Sequence, residues 1–252
     1  MNDPNEKKVA LVTGASRGIG KELVEELIHQ GWYVAGIARS EERLQNLKDK
    51  FSDHFLGLTC DVSCREAVKS ASQELISTGW IPSLFFLNAG IAGDAACESI
   101  ERFDVEKHRE LFDTNYFGVL NWVEEWLPVC QNSNSTIFVA TSSINAIFAP
   151  PTGSAYAASK AAIAKAFEGL SLTYHSSKNL HFLVVYPGPV KTEGLKGKVP
   201  FIWEPARMAK YMIKNSLKKK SHMENSLFYA IFSRMLRILP AGLVMRILGQ
   251  CR

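Results

Sequence analysis

No Cys-x-x-Cys pair, low-complexity segment or solenoid-type repeat occurs in these 252 residues. The five cysteines, Cys60, Cys64, Cys97, Cys130 and Cys251, are scattered and odd in number. That pattern argues against a disulfide framework and for a reducing, cytoplasmic setting. The six histidines are dispersed, none paired with a Cys or carboxylate at ligand spacing, so no metal site is expected. Residues 1–8 lack the apolar core of a signal peptide, so none is expected. With 46% hydrophobic and 21% charged residues, wholesale disorder is excluded. The length suits one α/β domain with a substantial core.

Charge is unevenly placed. Residues 1–190 carry 16 Lys and Arg against 22 Asp and Glu, whereas residues 191–252 carry 13 against 3, so −6 is followed by +10. The chain shows no nucleic-acid-binding module to use that excess, and no nucleic-acid partner is expected.

What is present begins with Val9, Ala10, Leu11 and Val12, a short apolar run ended by Thr13-Gly14-Ala15-Ser16-Arg17-Gly18-Ile19-Gly20. A segment with Leu23, Leu27 and Ile28 on one face follows, so the pattern reads strand, glycine-rich turn, helix. Gly14 lets the chain turn, Gly18 lets backbone approach a phosphate, and Gly20 lets the helix pack close to the strand. The helix N-terminus then presents N–H groups to a pyrophosphate.

Tyr156-Ala157-Ala158-Ser159-Lys160 places a phenol and an ammonium one helical turn apart. A free phenol, with a pKa of about 10, exchanges protons poorly near neutrality. A neighbouring ammonium favours the phenolate, so the pair reads as a general acid/base. Strand-like and helix-like segments alternate between the two motifs, which argues for a single doubly wound parallel α/β sheet of Rossmann type.

Together the two motifs resemble the short-chain dehydrogenase/reductase family, over about residues 7–192. Further landmarks follow in order: Asp61-Val62 after the third strand, Asn88-Ala89-Gly90 after the fourth, Asn115, Ser143 thirteen residues before Tyr156, and residues 187–192 after the sixth. The resemblance implies hydride transfer between nicotinamide and a carbonyl/alcohol pair, with strand order 3-2-1-4-5-6-7. It assigns Tyr156 as acid or base and Lys160 as the group that lowers its pKa and holds the nicotinamide ribose. Ser143 is the hydrogen-bond donor to the substrate oxygen, and Asn115 holds a relay water. Strand alternation would point the neighbouring Ser142 to the opposite face.

The resemblance places the cofactor against Gly14, Ser16, Arg17, Gly18, Ile19, Gly20, Arg39 and Ser40. It continues with Asp61, Val62, Asn88, Ala89 and Gly90, and ends with Tyr156, Lys160, Pro187, Gly188, Val190 and Thr192. After the second strand no carboxylate stands where one would repel a 2′-phosphate, while Arg39 and Arg17 can fork onto it. NADP(H) is therefore the expected cofactor.

Residues 193–225 read as a substrate lid and a helix begun by Glu204-Pro205, with Met208, Ala209, Met212, Ile213 and Leu217 apolar. Residues 226–252 form an apolar, basic helical extension whose polar stripe runs near Ser226, Ala230, Ser233 and Arg237. Arg234, Arg237 and Arg246 argue against a membrane span. Three arrangements stay open for this tail: against its own domain, in a homo-oligomer, or in a membrane interface. Ile144, Phe148, Pro150 and Pro151 suggest an apolar substrate wall, so a lipophilic ketone or alcohol is the expected substrate. The rivals are a 3-oxoacyl thioester reductase, against which the missing Gly-Gly ending counts, and a non-catalytic NADP(H)-sensing regulator. The resemblance also implies a homo-oligomer.

Overall fold

The computed structural model describes residues 7–92, 103–131, 135–192 and 201–248. The expected lid at residues 193–200, Cys97, Cys251 and the last four residues lie outside them. Cys60, Cys64 and Cys130 carry no disulfide.

Seven strands form one parallel sheet in the order β3-β2-β1-β4-β5-β6-β7. They are β1 (Val9–Thr13), β2 (Tyr33–Ala38), β3 (Phe55–Thr59), β4 (Leu84–Leu87), β5 (Thr136–Thr141), β6 (Leu180–Tyr186) and β7 (His222–Glu224). Helices α1 (Gly18–His29), α2 (Glu41–Phe51) and α3 (Arg65–Ser77) follow the first three strands. Next come α4 (Val105–Phe112), α5 (Gly118–Cys130), α6 (Ser154–Thr173) and α7 (Pro205–Ser216), with α8 (Leu227–Ile238) and α9 (Ala241–Ile247) after the sheet.

The central strands are buried on both faces, which is why β1, β4 and β5 read as almost unbroken apolar runs instead of alternating ones. Val12 and Phe86 join Leu23 and Leu27 of α1, Leu44 of α2, and Met208 and Met212 of α7. On the opposite face Leu11 and Phe85 join Leu75 of α3, Trp122 and Trp126 of α5, and Phe167 of α6. Each large side chain buried this completely contributes about 1.5–3 kcal/mol. The Trp126 indole N–H also donates to Ser72 Oγ at 3.0 Å, tying α5 to α3.

From β1 the chain steps outward through β2 to β3, then crosses to β4 on the other side of β1. A crevice opens at the carboxyl ends of the strands where the order reverses. The expected helix after Glu204 is present as α7; Leu217, counted among its apolar positions, stands exposed just past its end.

Candidate active site

The β1–α1 turn forms one wall of the crevice. Gly14 and Gly18 have φ of +69° and +54°, in the left-handed region that favours glycine. Gly20 is fixed by proximity: an added Cβ would lie 2.0 Å from the Gly14 carbonyl oxygen. Helix α1 has no side-chain cap and no acid in its first turn, whereas Ser40, Asp104 and Ser226 cap α2, α4 and α8. Its leading N–H groups are therefore left for an anion. The glycine cradle and the uncapped helix fit a dinucleotide pyrophosphate. Gly18 faces Thr192, whose Cγ2 would be 3.3 Å from an added Cβ, so the first turn and the segment after β6 close on one space.

At the β4 end, the Ala89 N–H donates to Thr13 Oγ1 at 2.9 Å. Asn88 Nδ2 donates to the Thr13 carbonyl and Asn88 Oδ1 accepts from Thr141 Oγ1, both at 3.4 Å. Asn88 thus joins β1, β4 and β5 at the crevice floor.

Arg39 and Asp61 border a groove of about 420 Å³ with Ser63, Arg109, Asp113 and Thr114. Their charges are 3.9 Å apart, so Arg39 pairs with Asp61 and not with the neighbouring Glu41 or Glu42. Partial burial raises the Asp61 pKa, but the Ser63 hydroxyl and N–H and the Arg39 guanidinium outweigh it and hold the carboxyl below the usual range. Asp61 and Val62 stand just beyond β3, which ends at Thr59. Ser40 Oγ accepts from the Arg43 N–H at 3.4 Å, so its hydroxyl serves as the α2 cap.

The second wall carries the expected reactive groups. Lys160 Nζ donates to the Thr141 carbonyl at 2.8 Å, and the Lys160 carbonyl accepts from Ser142 Oγ at 2.8 Å. Lys160 is therefore fastened to the end of β5 by both its backbone and its side chain. Ser142 being engaged there, the free choice falls on Ser143, which is hydrogen-bonded to the Tyr156 phenol. Ser143 Oγ also accepts from the Asn145 N–H at 3.2 Å. The Lys160 ammonium lies 5.8 Å from the Tyr156 ring centre.

Asn115 is fully buried in a π-helical turn, Asp113–Phe117, between α4 and α5. Such turns recur at functional sites. Its Nδ2 donates to the Ile91 carbonyl at 2.9 Å and to Ser159 Oγ at 3.0 Å, and its Oδ1 accepts from the Ile91 N–H at 2.8 Å. Three of the four hydrogen-bonding positions of its amide are taken. Gly90 sits between the two groups: an added Cβ would be 3.0 Å from both Asn115 Oδ1 and Lys160 Nζ.

The titration of the pair differs from the expectation that the ammonium dominates. Burial pushes the Tyr156 phenol up, and its hydrogen bond with Ser143 opposes this only in part. Burial also holds Lys160 down, at about 8. Desolvation disfavours both charged forms, and it is the larger effect on each.

Asn225 went unmarked in the sequence. It is buried, and its Oδ1 accepts from the Gly188 N–H at 2.7 Å, pinning the Pro187–Gly188 turn to the start of α8. Trp203 holds the other side of this segment, with Lys191 N–H donating to its carbonyl at 2.9 Å and its own N–H donating to Pro189 at 3.0 Å. Among the described residues, no three His, Cys, Asp or Glu side chains gather as a metal site would require.

The tail packs on its own domain by one face, the first of the three arrangements left open by the sequence. Ala230 and Ser233, from the polar stripe, are buried, while Leu227, Ile231 and Ile238 are exposed. Small side chains let α8 approach the loops after β5 and β6 closely.

Known proteins share this architecture. An uncharacterized oxidoreductase of Saccharomyces cerevisiae is 32% identical over 190 residues, 74% of this chain and 72% of its own. A benzil reductase, (S)-benzoin forming, of the same yeast is 30% identical over 192 residues, 74% and 73% of the two chains. A short chain dehydrogenase from Burkholderia cenocepacia, solved in complex with NADP, superposes with a TM-score of 0.80 at 25% identity, covering 96% of this chain and 98% of that one. The family model for short chain dehydrogenases matches residues 8–201. With a single seven-stranded parallel sheet, a glycine cradle before α1 and Ser143, Tyr156 and Lys160 gathered at the strand ends, this chain is an oxidoreductase of the short-chain dehydrogenase family.

Proposed function

We propose that the protein reduces a lipophilic ketone, or oxidises the matching alcohol, with NADP(H). The observation that carries the reaction is the gathering of Ser143 and Tyr156 beside the buried Lys160 ammonium, which lies 5.8 Å from the Tyr156 ring centre. The nicotinamide supplies or accepts the hydride. Ser143 and Tyr156 donate hydrogen bonds to the carbonyl oxygen, stabilising the charge that develops on it. The high phenol pKa keeps the proton on Tyr156 until that charge appears, which suits a general acid. With the cofactor bound, Lys160 would hold the ribose hydroxyls. Because the Asn115 amide is so fully engaged, its contribution is to position Ser159 and the chain at Ile91 around Lys160; a relay water would be held by backbone.

Support for NADP(H) comes from Arg39 at the end of β2 with no carboxylate in that place, and from the Burkholderia relative's bound NADP. Asp61 is the counterweight, since it pairs with Arg39; a 2′-phosphate would draw the guanidinium from it. Support for an apolar substrate comes from Ile144, Phe148, Pro150 and Pro151 on the loop after Ser143, and from the benzil reductase relative. A homo-oligomer fits the exposed Phe117, Val129 and Leu172 on the α5–α6 side.

NADPH consumption across small diketones, large apolar ketones and 3-oxoacyl thioesters tests the reading, with NADH in parallel. Turnover of apolar ketones with a clear NADPH preference is expected. Turnover confined to thioesters, or a clear NADH preference, would overturn the corresponding half. Tight NADPH binding with no turnover on any of them would favour a cofactor sensor. Tyr156→Phe should bind NADPH normally and lose nearly all turnover.

A further inference from the structure

Helix α8 is amphipathic in the reverse of the usual sense. Tyr229, Ala230, Ser233 and Leu236 face the domain. Leu227, Phe228, Ile231, Met235 and Ile238 face outward, with Leu227 76%, Ile231 58% and Ile238 81% exposed. At 3.6 residues per turn these five fall within an arc of about 100°. Helix α9 adds Leu243 and Ile247, also exposed and one turn apart. The patch extends beyond the tail: the exposed Phe201 ring lies 5.0 Å from Phe228, and Phe228 stacks on Phe232 at 5.7 Å. A contiguous outward apolar face of this kind marks an interaction surface.

Charge identifies the occupant. From Leu227 to Ile247 there are three arginines, Arg234, Arg237 and Arg246, and no Asp or Glu. Arg234 is partly neutralised by Glu224, to which it donates at 3.1 Å; Arg237 and Arg246 are exposed. A second copy meeting this face would bring no acid on these helices to answer the arginines. An exposed apolar arc with Arg234 at its Leu227 edge, Arg237 about 80° beyond that edge and no acid on either helix matches a surface of acyl chains under anionic headgroups. No helix among the described residues is long and apolar enough to cross a membrane, so the contact is a peripheral one.

We propose that the outer face of α8 and α9 docks on an anionic lipid bilayer. The position of α8 gives the contact a purpose. Its first residues lie on the Pro187–Gly188 turn: Asn225 accepts from the Gly188 N–H, and an added Cβ at Gly188 would be 3.4 Å from Tyr229 Cδ2. The bilayer would therefore stand about one helix diameter, roughly 10–12 Å, from the loops that flank the site. An apolar carbonyl compound dissolved in the membrane would reach Tyr156 with little passage through bulk water. This delivery role rests on the lipophilic-substrate reading above; the docking itself does not.

The experiment is flotation of the full chain with phosphatidylcholine vesicles, with and without about 30% phosphatidylglycerol, an anionic content chosen to make electrostatic attraction measurable. The wild type should float with the anionic vesicles, and less so when salt is raised to about 0.5 M. Ile231→Glu with Ile238→Glu should lower the bound fraction at least tenfold while leaving turnover of a water-soluble ketone unchanged. Both positions are exposed, so the fold should tolerate them. Arg237→Gln with Arg246→Gln should abolish the preference for anionic vesicles. Absence of wild-type flotation, or equal flotation of the Glu variant, overturns the proposal. So does a wild type that is dimeric and a Glu variant that is monomeric with neither floating, which would assign the face to a second copy. Flotation without turnover of any apolar ketone would uphold docking and remove the substrate reading.

Discussion

Replacing Lys160 by Met removes a buried ammonium and keeps most of its stem. Lys160 is 4% exposed, and burial lowers its pKa from 10.5 to about 8. Below pH 8 the side chain is protonated in both folded and unfolded chains, and the folded state carries a charge it disfavours. That costs about 3 kcal/mol at pH 7. Between pH 8 and 10.5 the folded protein loses the proton first, the unfolded chain binds more protons, and stability rises with pH. By pH 9.5 the cost has shrunk by about 2 kcal/mol. Burial also raises the thiols of Cys60, to about 12, and Cys130, to about 11, so these erode stability at alkaline pH. They do so equally in both proteins and cancel in the comparison. The Thr141 carbonyl loses its Lys160 donor in the variant, which costs about 1–3 kcal/mol at every pH. The informative quantity is therefore how the difference between wild type and Lys160→Met changes with pH. Urea unfolding of both at pH 7 and pH 9.5 should show the wild type gaining about 2 kcal/mol on the variant. A difference that stays constant would show that Lys160 titrates normally and that its desolvation is not what shapes the site.

Gly20→Ala places a methyl 2.0 Å from the Gly14 carbonyl, so α1 must move off the turn. Overpacking of this kind costs about 1–3 kcal/mol; NADPH affinity, read by fluorescence titration, should fall at least tenfold, and wild-type affinity would contradict the cradle. Asn225→Ala takes the acceptor from the Gly188 N–H and should lower kcat/KM on the order of tenfold. Asn225→Asp keeps an acceptor and should recover most of that loss, whereas equal loss in both would make the residue a packing element only.

The strand order was legible through the family resemblance, and the glycine turn and the Tyr156–Lys160 pair through local pattern, since the structure has that order and brings Tyr156 and Lys160 together. Gly14, Gly18 and Gly20 declare a turn by their spacing, and β1 and β4 declare burial by unbroken apolar runs. Ser143 was chosen over Ser142 by its thirteen-residue spacing to Tyr156; strand alternation does not separate them, because β5 ends at Thr141, and Ser142 is instead bonded to the Lys160 carbonyl. Asn225 was not legible: its partner Gly188 is 37 residues away, and no periodicity links the two. The burial of Ser159 against Asn115, 44 residues distant, was hidden for the same reason. The orientation of α8 stayed open because hydrophobicity alone does not say whether its large side chains meet the domain, another subunit or a membrane. Here the covered face is the one with Tyr229, Ala230, Ser233 and Leu236. The titration of Tyr156 and Lys160 also depends on burial, which a two-residue motif does not disclose.

The hydrogen bond from Gly188 to Asn225 has a consequence for the order in which the protein is made. Domains assemble as the chain emerges during synthesis, and contacts distant in sequence form late. Every residue of the reactive set, through Tyr156 and Lys160, precedes β6, yet the turn beside them is anchored from position 225. A nascent chain that has folded β1 through β6 holds the reactive side chains without the anchor for that turn. Its full competence to bind and turn over substrate is thereby deferred until the chain has been made through the seventh strand and Asn225.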